Sequence, residues 1–167
     1  MLSQTRKNEI EAAAKEILSS SYTEVDDGIV PVDIREVLDI YKIPLKFVEF
    51  KDESISGAFE TNPQNIYVNT NDSFSRKTFT IAHELGHLIL HENKKQEVFY
   101  RVDIARISEE DKAEEQEANW FAASLLMPEN VIRKYSSLTK DTEKLAKIFG
   151  TSPSAMYYRL KNLGLTT

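Results

Sequence analysis

One short stretch of the sequence contains residue types that together bind a metal and move a proton. Residues 80–91 read T-I-A-H-E-L-G-H-L-I-L-H, and His83, Glu84 and His87 form the H-E-x-x-H pattern typical of zinc hydrolases. In a helix, residues four apart lie above one another on one face, so the two imidazoles can bind one cation. Glu84 lies beside them, where its carboxylate can take a proton from a water activated by the metal. We therefore interpret this stretch as a Zn²⁺ site with Glu84 as the general base.

The residues around the motif predict a helix, because Ile81, Leu85 and Leu88 recur at helical spacing. Gly86 opposes this conformation by about 0.5–1 kcal/mol relative to alanine, which indicates that another element packs close to its backbone. A chance match to the motif is the alternative. It is disfavoured because all 3 histidines of the chain lie in this apolar stretch.

A third metal ligand must come from elsewhere in the chain. A catalytic zinc normally has three protein ligands, and without cysteine the third must be a histidine or a carboxylate. His91 is one helical turn beyond His87, about 6 Å along the axis, which is too far for a cation held by the first two histidines. We expect His91 to lie beside the site or at the surface.

The candidates for that ligand lie in a later predicted helix, E-E-Q-E-A-N-W-F-A-A-S-L-L-M, which begins near a capping box of Ser108 and Asp111. Glu117 is our choice, because its helical face also carries the packing residues Phe121, Ser124 and Leu125. Glu114, one turn earlier, is the second choice. We interpret Glu115 as part of a solvated acidic face.

Length and composition restrict the class of protein. A chain of 167 residues forms one well-buried core, and its net charge of −6 argues against general nucleic-acid binding. The N-terminus lacks the apolar segment of a signal peptide, and no apolar run approaches the roughly 18 residues of a membrane span. We predict a soluble cytoplasmic protein; the sequence does not specify its oligomeric state.

The order of the predicted elements is that of an α+β fold with a zincin-like metalloprotease domain. An amphipathic helix over residues 5–20 and a second helix from Pro31 precede three short strands between residues 45 and 68, which we predict to be antiparallel. The strand 56–59 is a candidate for binding an extended peptide by strand addition, or is an ordinary strand with a bulge at Gly57. Residues 92–106 have no clear period and predict a loop.

The residues from Thr139 onward predict a helix-turn-helix-like pair. Ser152 and Pro153 open its second helix, and Gly150 and Gly164 end the two helices. From residue 129 onward there are seven basic and three acidic residues, which would suit DNA or protein docking. We favour a hairpin that completes the core, because base readout needs several side chains from one helix. We therefore predict a metallopeptidase domain over 1–128 with a helical segment, 129–167, packed on it, and no direct DNA binding.

The second helix of that pair has only two basic residues, Arg159 and Lys161. If the pair did bind DNA, replacing both would remove a salt-dependent affinity.

Three segments of the chain resemble the ImmA/IrrE family of metallopeptidases. They are F-T-I-A-H-E-L-G-H-L-I-L-H, E-A-N-W-F-A-A-S-L-L-M-P and L-A-K-I-F-G-T-S-P-S-A-M-Y-Y-R-L-K-N-L-G-L. The resemblance, which extends from Val30 to the end, implies a cytoplasmic zinc-dependent protease of phages or integrative elements that cleaves a helix-turn-helix repressor and so derepresses genes. It also implies that His83, His87 and Glu117 bind the zinc and that Glu84 is the catalytic base.

Two readings of function follow. In the first, the protein hydrolyses a peptide bond of the repressor, and Tyr100, Tyr157 and His91 are candidates for stabilising the oxyanion. In the second, it is a non-catalytic regulator that binds a repressor or DNA and uses zinc only to hold its fold. Glu84→Gln distinguishes them, because only the enzyme needs that carboxylate.

Overall fold

The computed structural model describes residues 2–21, 30–91, 99–100 and 109–166. These ranges contain helices and strands together, which confirms the mixed α+β class. In chain order the elements are α1 (Gln4–Ser21), α2 (Ile34–Ile40), β1 (Leu45–Val48), β2 (Gly57–Thr61), β3 (Gln64–Asn69), α3 (Phe74–Leu90), β4 (Phe99–Tyr100), α4 (Glu109–Leu126), α5 (Glu129–Leu138), α6 (Thr142–Phe149) and α7 (Pro153–Asn162). Among the described residues, no helix combines the length and the apolar character needed to cross a membrane.

The sheet has the strand order β1-β3-β2-β4, and it is not purely antiparallel as predicted. β2 and β3 form an antiparallel hairpin, whereas β1 pairs with β3 in parallel. Ile66 and Val68 of β3 are fully buried, which suits the position of β3 between two partner strands. β1 is mostly exposed or half-buried, which suits an edge strand.

The short strand β4 lies within the segment predicted to be a loop, the rest of which lies outside the described residues. Its residues pair antiparallel with Ala58 and Phe59 of β2. This pairing occupies the β2 edge at those two residues, so the predicted addition of a peptide strand there is wrong. The predicted bulge at Gly57 is also absent, because Gly57, Ala58 and Phe59 pair with three consecutive residues of β3.

Local capping residues decide where several helices begin. α2 begins at Ile34 and not at Pro31 as predicted, because the Asp33 carboxylate accepts hydrogen bonds from the backbone N–H groups of the first turn. The predicted start of α7 is confirmed: Ser152 is its N-cap and Pro153 its first residue. Gly150 ends α6 at a φ of 65°, a left-handed conformation that glycine adopts without strain. Ser108, half of the capping box predicted for α4, lies outside the described residues.

The motif helix α3 is the centre of the packing. Residues 80–88 of α3 are all buried between the sheet and α4. At Gly86 an added Cβ would lie 3.0 Å from Phe121 Cδ1 and 3.2 Å from Ala118 Cα, both in α4. Gly86 is therefore tolerated in the helix because it lets α4 approach the α3 backbone, as its presence predicted.

Helix α4 packs against α3 on one side and against α1 on another. Its buried surface is therefore wider than the single stripe of an ordinary amphipathic helix.

The C-terminal helices pack on the same core, with Leu145, Phe149 and Met156 almost fully buried. Arg159 of α7 is 1% exposed, and its guanidinium donates to Glu11 of α1 and to the Met127 carbonyl. Arg159 is thus turned inward and is not available to contact DNA. The domain division after residue 128 and the helix-turn-helix character stay predictions.

Candidate metal centre

Three side chains from two helices meet at one point. The Nε2 atoms of His83 and His87 in α3 are 3.1 Å apart. Glu115 of α4 reaches both, with Oε1 3.1 Å from His87 Nε2 and Oε2 3.4 Å from His83 Nε2. Both imidazoles are buried, and the Glu115 side chain is 20% exposed. Two helices that touch at Gly86 therefore bring two nitrogens and a carboxylate together.

These atoms have the spacing that a tetrahedral metal site needs. Ligands about 2.0–2.1 Å from a zinc ion are about 3.3 Å from one another. The two Nε2 atoms are 3.1 Å apart, one Glu115 oxygen is 3.1 Å from His87 Nε2, and the other Glu115 oxygen is 3.4 Å from His83 Nε2, all close to this value. Among the described residues, His83, His87 and Glu115 are the group of histidine and acidic side chains that could hold a metal ion. The donor types and their spacing therefore fit the metal.

The two imidazoles are held in different ways. His83 Nδ1 lies 3.1 Å from the side-chain Oδ1 of Asn119 in α4. The His87 ring instead stacks on Phe59 of β2, with ring centroids 5.5 Å apart and an angle of 15° between the planes. One ring is thus oriented by a hydrogen bond and the other by packing against the sheet.

Glu84 points towards the sheet from the same turn of α3. Its side chain is buried, and a Cβ added at Gly57 would lie only 3.2 Å from Glu84 Oε1. That same Cβ would collide with Thr80, so β2 can cross this part of α3 only with glycine at position 57. The carboxylate therefore lies beside the histidine pair and under the sheet, without belonging to the three-donor group.

The structure does not bring Glu117 to the two motif histidines. The Glu117 carboxylate accepts two hydrogen bonds from Arg6 of α1, from Nε at 2.9 Å and from Nη2 at 2.6 Å. The prediction correctly placed Glu117 on a packed face of α4, but that part of the face meets α1 and not the histidines. Position 115, two residues earlier and therefore on another side of the helix, faces them.

The charges around these carboxylates depend on their partners. Burial raises the pKa of Glu115, but its contacts with the imidazoles of His83 and His87 outweigh burial and hold that pKa well below its ordinary value. The Arg6 hydrogen bonds likewise lower the pKa of Glu117, and the same pairing raises the pKa of Arg6. Both carboxylates are therefore anionic near neutral pH, one facing the imidazoles and the other neutralised by a guanidinium.

Comparison with known proteins identifies the family. The Peptidase_M78 family model, described as an IrrE N-terminal-like domain, matches residues 37–161, which include both helices of the centre. The chain belongs to this family. Because this is a metallopeptidase family, membership implies a metal ion. The group of His83, His87 and Glu115 could bind one.

Two relatives of this IrrE-like chain come from bacilli and their phages. The chain is 28% identical over 127 residues to "Uncharacterized immunity region protein 2" of Bacillus phage phi105, covering 72% of each chain. It is 25% identical over 134 residues to "Metallopeptidase ImmA" of Bacillus subtilis (strain 168), covering 79% of this chain and 77% of that protein.

A solved structure, "Mycobacterium tuberculosis transcriptional regulator", shares the fold with a TM-score of 0.67 at 18% identity. The match covers 94% of this chain, which spans about half (48%) of the length of that solved chain.

The sequence analysis interpreted Glu115 as part of a solvated face and did not consider Asn119, whereas the structure of this IrrE-like domain places both against His83. A usable signal was present, because Ala118 and Ala122 follow Glu115 at three- and seven-residue spacing and are fully buried. Small residues mark the face on which another helix can come closest, and Gly86 marks the matching face of α3. The large residues that favoured Glu117 indicated burial but not which neighbour causes it.

The remaining predicted site residues have different surroundings. Glu114, the second choice for the third ligand, is not in the three-donor group. His91 is near the centre, with its ring centroid 5.6 Å from that of His87 and Nε2 3.8 Å from Glu117 Oε2. Tyr157 is half exposed on α7, where it packs edge to face against Tyr158. The side chain of Tyr100 lies outside the described residues.

Proposed function

We propose that this protein is a zinc-dependent endopeptidase with His83, His87 and Glu115 as the metal ligands and Glu84 as the general base. The observation that supports it is the convergence of three metal-binding side chains, whose nearest nitrogen and oxygen atoms are 3.1–3.4 Å apart. In this proposal Glu115 replaces Glu117, because the Glu117 carboxylate is already paired with Arg6.

A bound zinc ion would supply Lewis-acid chemistry, making water acidic enough to deprotonate near neutral pH and polarising a peptide carbonyl. The protein residues do the rest. Glu84 accepts the proton of the attacking water and passes it to the leaving amine. Its burial beneath β2 keeps the carboxylate in place for both transfers. Gly57 leaves room for it, since any larger residue would press on Thr80 and approach Glu84 Oε1.

We further propose that the substrate is a helix-turn-helix (Xre-like) repressor of a mobile element or stress response, and that its cleavage releases the genes it silences. Two names support this choice. One relative is an immunity region protein of a phage, and the other is the metallopeptidase ImmA.

The decisive experiment combines cleavage with metal analysis. Wild type, Glu84→Gln and a control, Glu53→Gln at an exposed position of the 49–56 connection, are incubated with the helix-turn-helix repressor encoded nearest the gene. We expect repressor fragments from wild type and Glu53→Gln, seen by mass spectrometry and suppressed by a chelator. Glu84→Gln should bind the same amount of zinc and produce none, because it retains all three ligands.

Intact repressor in every sample, despite one bound zinc per chain, would contradict cleavage of this substrate. Fragments from Glu84→Gln at the wild-type rate would contradict the role of Glu84. Wild-type protein without bound zinc would contradict the metal site itself.

A further inference from the structure

The amide of Asn119 lies behind the metal centre, on the side of the His83 ring away from the other donors. Its Oδ1 is 3.1 Å from His83 Nδ1, while His83 Nε2 faces His87 and Glu115. An amide oxygen can only accept a hydrogen bond, so Nδ1 must carry the proton and donate it. A neutral imidazole protonated at Nδ1 has its lone pair at Nε2. The contact therefore selects the tautomer that can bind a cation at the centre.

We propose that Asn119 is a positioning residue that fixes the tautomer and ring orientation of His83 for metal binding. This inference rests on the proposed metal site. The reverse amide orientation would place an N–H against Nδ1 and force the ring proton onto Nε2, where it would block the metal. A neutral His83 can therefore bind a metal at Nε2 only when the amide oxygen of Asn119 faces Nδ1, which is the amide orientation in the structure.

The ring of His83 has to keep its plane for the donor atoms to meet. Stacking on Phe59 orients the ring of His87 whatever its tautomer. The rings of His83 and His87 meet nearly edge to face, with an interplanar angle of 76°, so the Nε2 atoms converge only while the plane of His83 is held. A ring that rotates about its χ2 bond would turn Nε2 away from Glu115. The Asn119 hydrogen bond opposes that rotation.

Helix α4 supplies both the carboxylate ligand and the positioning amide. Glu115 and Asn119 are four residues apart and lie on one face of α4, one turn from each other. α4 therefore contacts His83 at two atoms: Glu115 approaches Nε2, and Asn119 approaches Nδ1.

The surroundings of Asn119 make an informative rescue variant possible. Asn119 also lines a cavity of about 840 Å³ between α1, α3, α4 and α7. In the described part of the chain, Lys7 and Arg76 also line this cavity, and no aspartate or glutamate does. A carboxylate at position 119 would thus have basic neighbours and water while still accepting the Nδ1 proton. Asn119→Asp therefore keeps the proposed contact, whereas Asn119→Leu keeps the size and removes the acceptor.

The test measures metal binding and not turnover. Zinc affinity is measured by competition with a chromophoric chelator, and the visible spectrum of the Co²⁺-substituted protein reports ligand geometry. We expect Asn119→Leu to weaken zinc binding by about 10–100-fold, the usual effect of losing an outer partner of a histidine ligand, and to change the Co²⁺ spectrum. Asn119→Asp should remain within a few-fold of wild type. Gln116→Leu, in the same cavity and helix, is the matched control and should change nothing.

Each outcome supports or overturns the inference. Wild-type affinity and spectrum in Asn119→Leu would overturn it, as would equal losses in the leucine and aspartate variants, which would indicate a packing role. Asn119→Ala, which also lacks the acceptor, replaces the leucine variant if that variant does not fold, and the same loss is expected. Failure of the wild type to bind zinc or Co²⁺ would instead contradict the proposed metal site.

Discussion

Two polar clusters on helix α4 are built from similar groups but are completed differently. In the metal cluster, the imidazoles of His83 and His87 and the carboxylate of Glu115 meet at 3.1–3.4 Å. In the arginine cluster, the guanidinium of Arg159 donates to both carboxylate oxygens of Glu11, at 2.6 Å and 3.0 Å, and Trp120 Nε1 donates to the same carboxylate.

The difference lies in where the positive charge comes from. The arginine cluster contains its own cation, so its carboxylate is neutralised by the chain and ties α7 to α1 and α4. The metal cluster presents three side chains that bind cations through lone pairs, an arrangement that an ion would complete. A buried carboxylate therefore indicates a functional site only when its positive partner does not come from the chain itself.

The largest effect is expected from a substitution that disrupts the arginine cluster. Arg159→Met removes a buried guanidinium from Glu11 and from the Met127 carbonyl, and should lower the free energy of unfolding by about 3 kcal/mol. Lys161→Met, two residues later at an exposed position, should change it by less than about 0.5 kcal/mol. Urea unfolding followed by circular dichroism measures both. Equal effects would show that the cluster contributes nothing specific.

The next effect separates the two acidic residues of α4. Glu115→Gln should weaken zinc binding by more than about 100-fold. Losing a hydrogen-bond partner of a ligand typically lowers metal affinity by about 10–100-fold, and losing a ligand itself should lower it more. Glu117→Gln should weaken it by less than about tenfold, because that carboxylate pairs with Arg6. Chelator competition on the folded variants measures both affinities. The reverse order would restore Glu117 as the third ligand.

A smaller effect is expected at the contact between α1 and α4. Arg6→Gln removes a partly exposed ion pair with Glu117, and should destabilise the protein by about 1 kcal/mol. Zinc affinity should remain within a few-fold of wild type, because Glu115 and both histidines are unchanged. Unfolding and metal titration of the same sample test this separation. A large loss of affinity would mean that α1 holds α4 in register with α3.

The smallest effect is the pH dependence of the same pair. Arg6 lowers the pKa of Glu117 in the folded protein, so the pair stabilises the fold above the carboxylate's ordinary pKa. This contribution should disappear as the pH falls through the lowered folded-state pKa. The stability difference between wild type and Glu117→Gln should therefore shrink between pH 6 and roughly pH 3. Urea unfolding curves at several pH values measure this difference. A stability difference that stays constant over this pH range would show that Arg6 does not lower the pKa of Glu117.

Much of the fold was predictable because it depends on local rules. The motif helix, the N-cap at Ser152 and the stop at Gly150 follow from period, capping and glycine geometry. The parallel pairing of β1 was not predictable in this way, since the order and direction of strands depend on contacts between segments distant in the sequence. The start of α2 was misjudged because the cap at Asp33 outweighed the helix-start preference of Pro31.

The sequence alone specified two of the proposed ligands and the base, because His83, Glu84 and His87 lie within one helical turn and a half, where spacing fixes geometry. It could not specify the third ligand or the role of Arg159. Those depend on the rotation of α4 against α3 and α1 and on the inward packing of α7. Glu115 and Glu117 belong to one acidic run, and only the neighbouring helices give them different partners: two imidazoles for one, and Arg6 for the other.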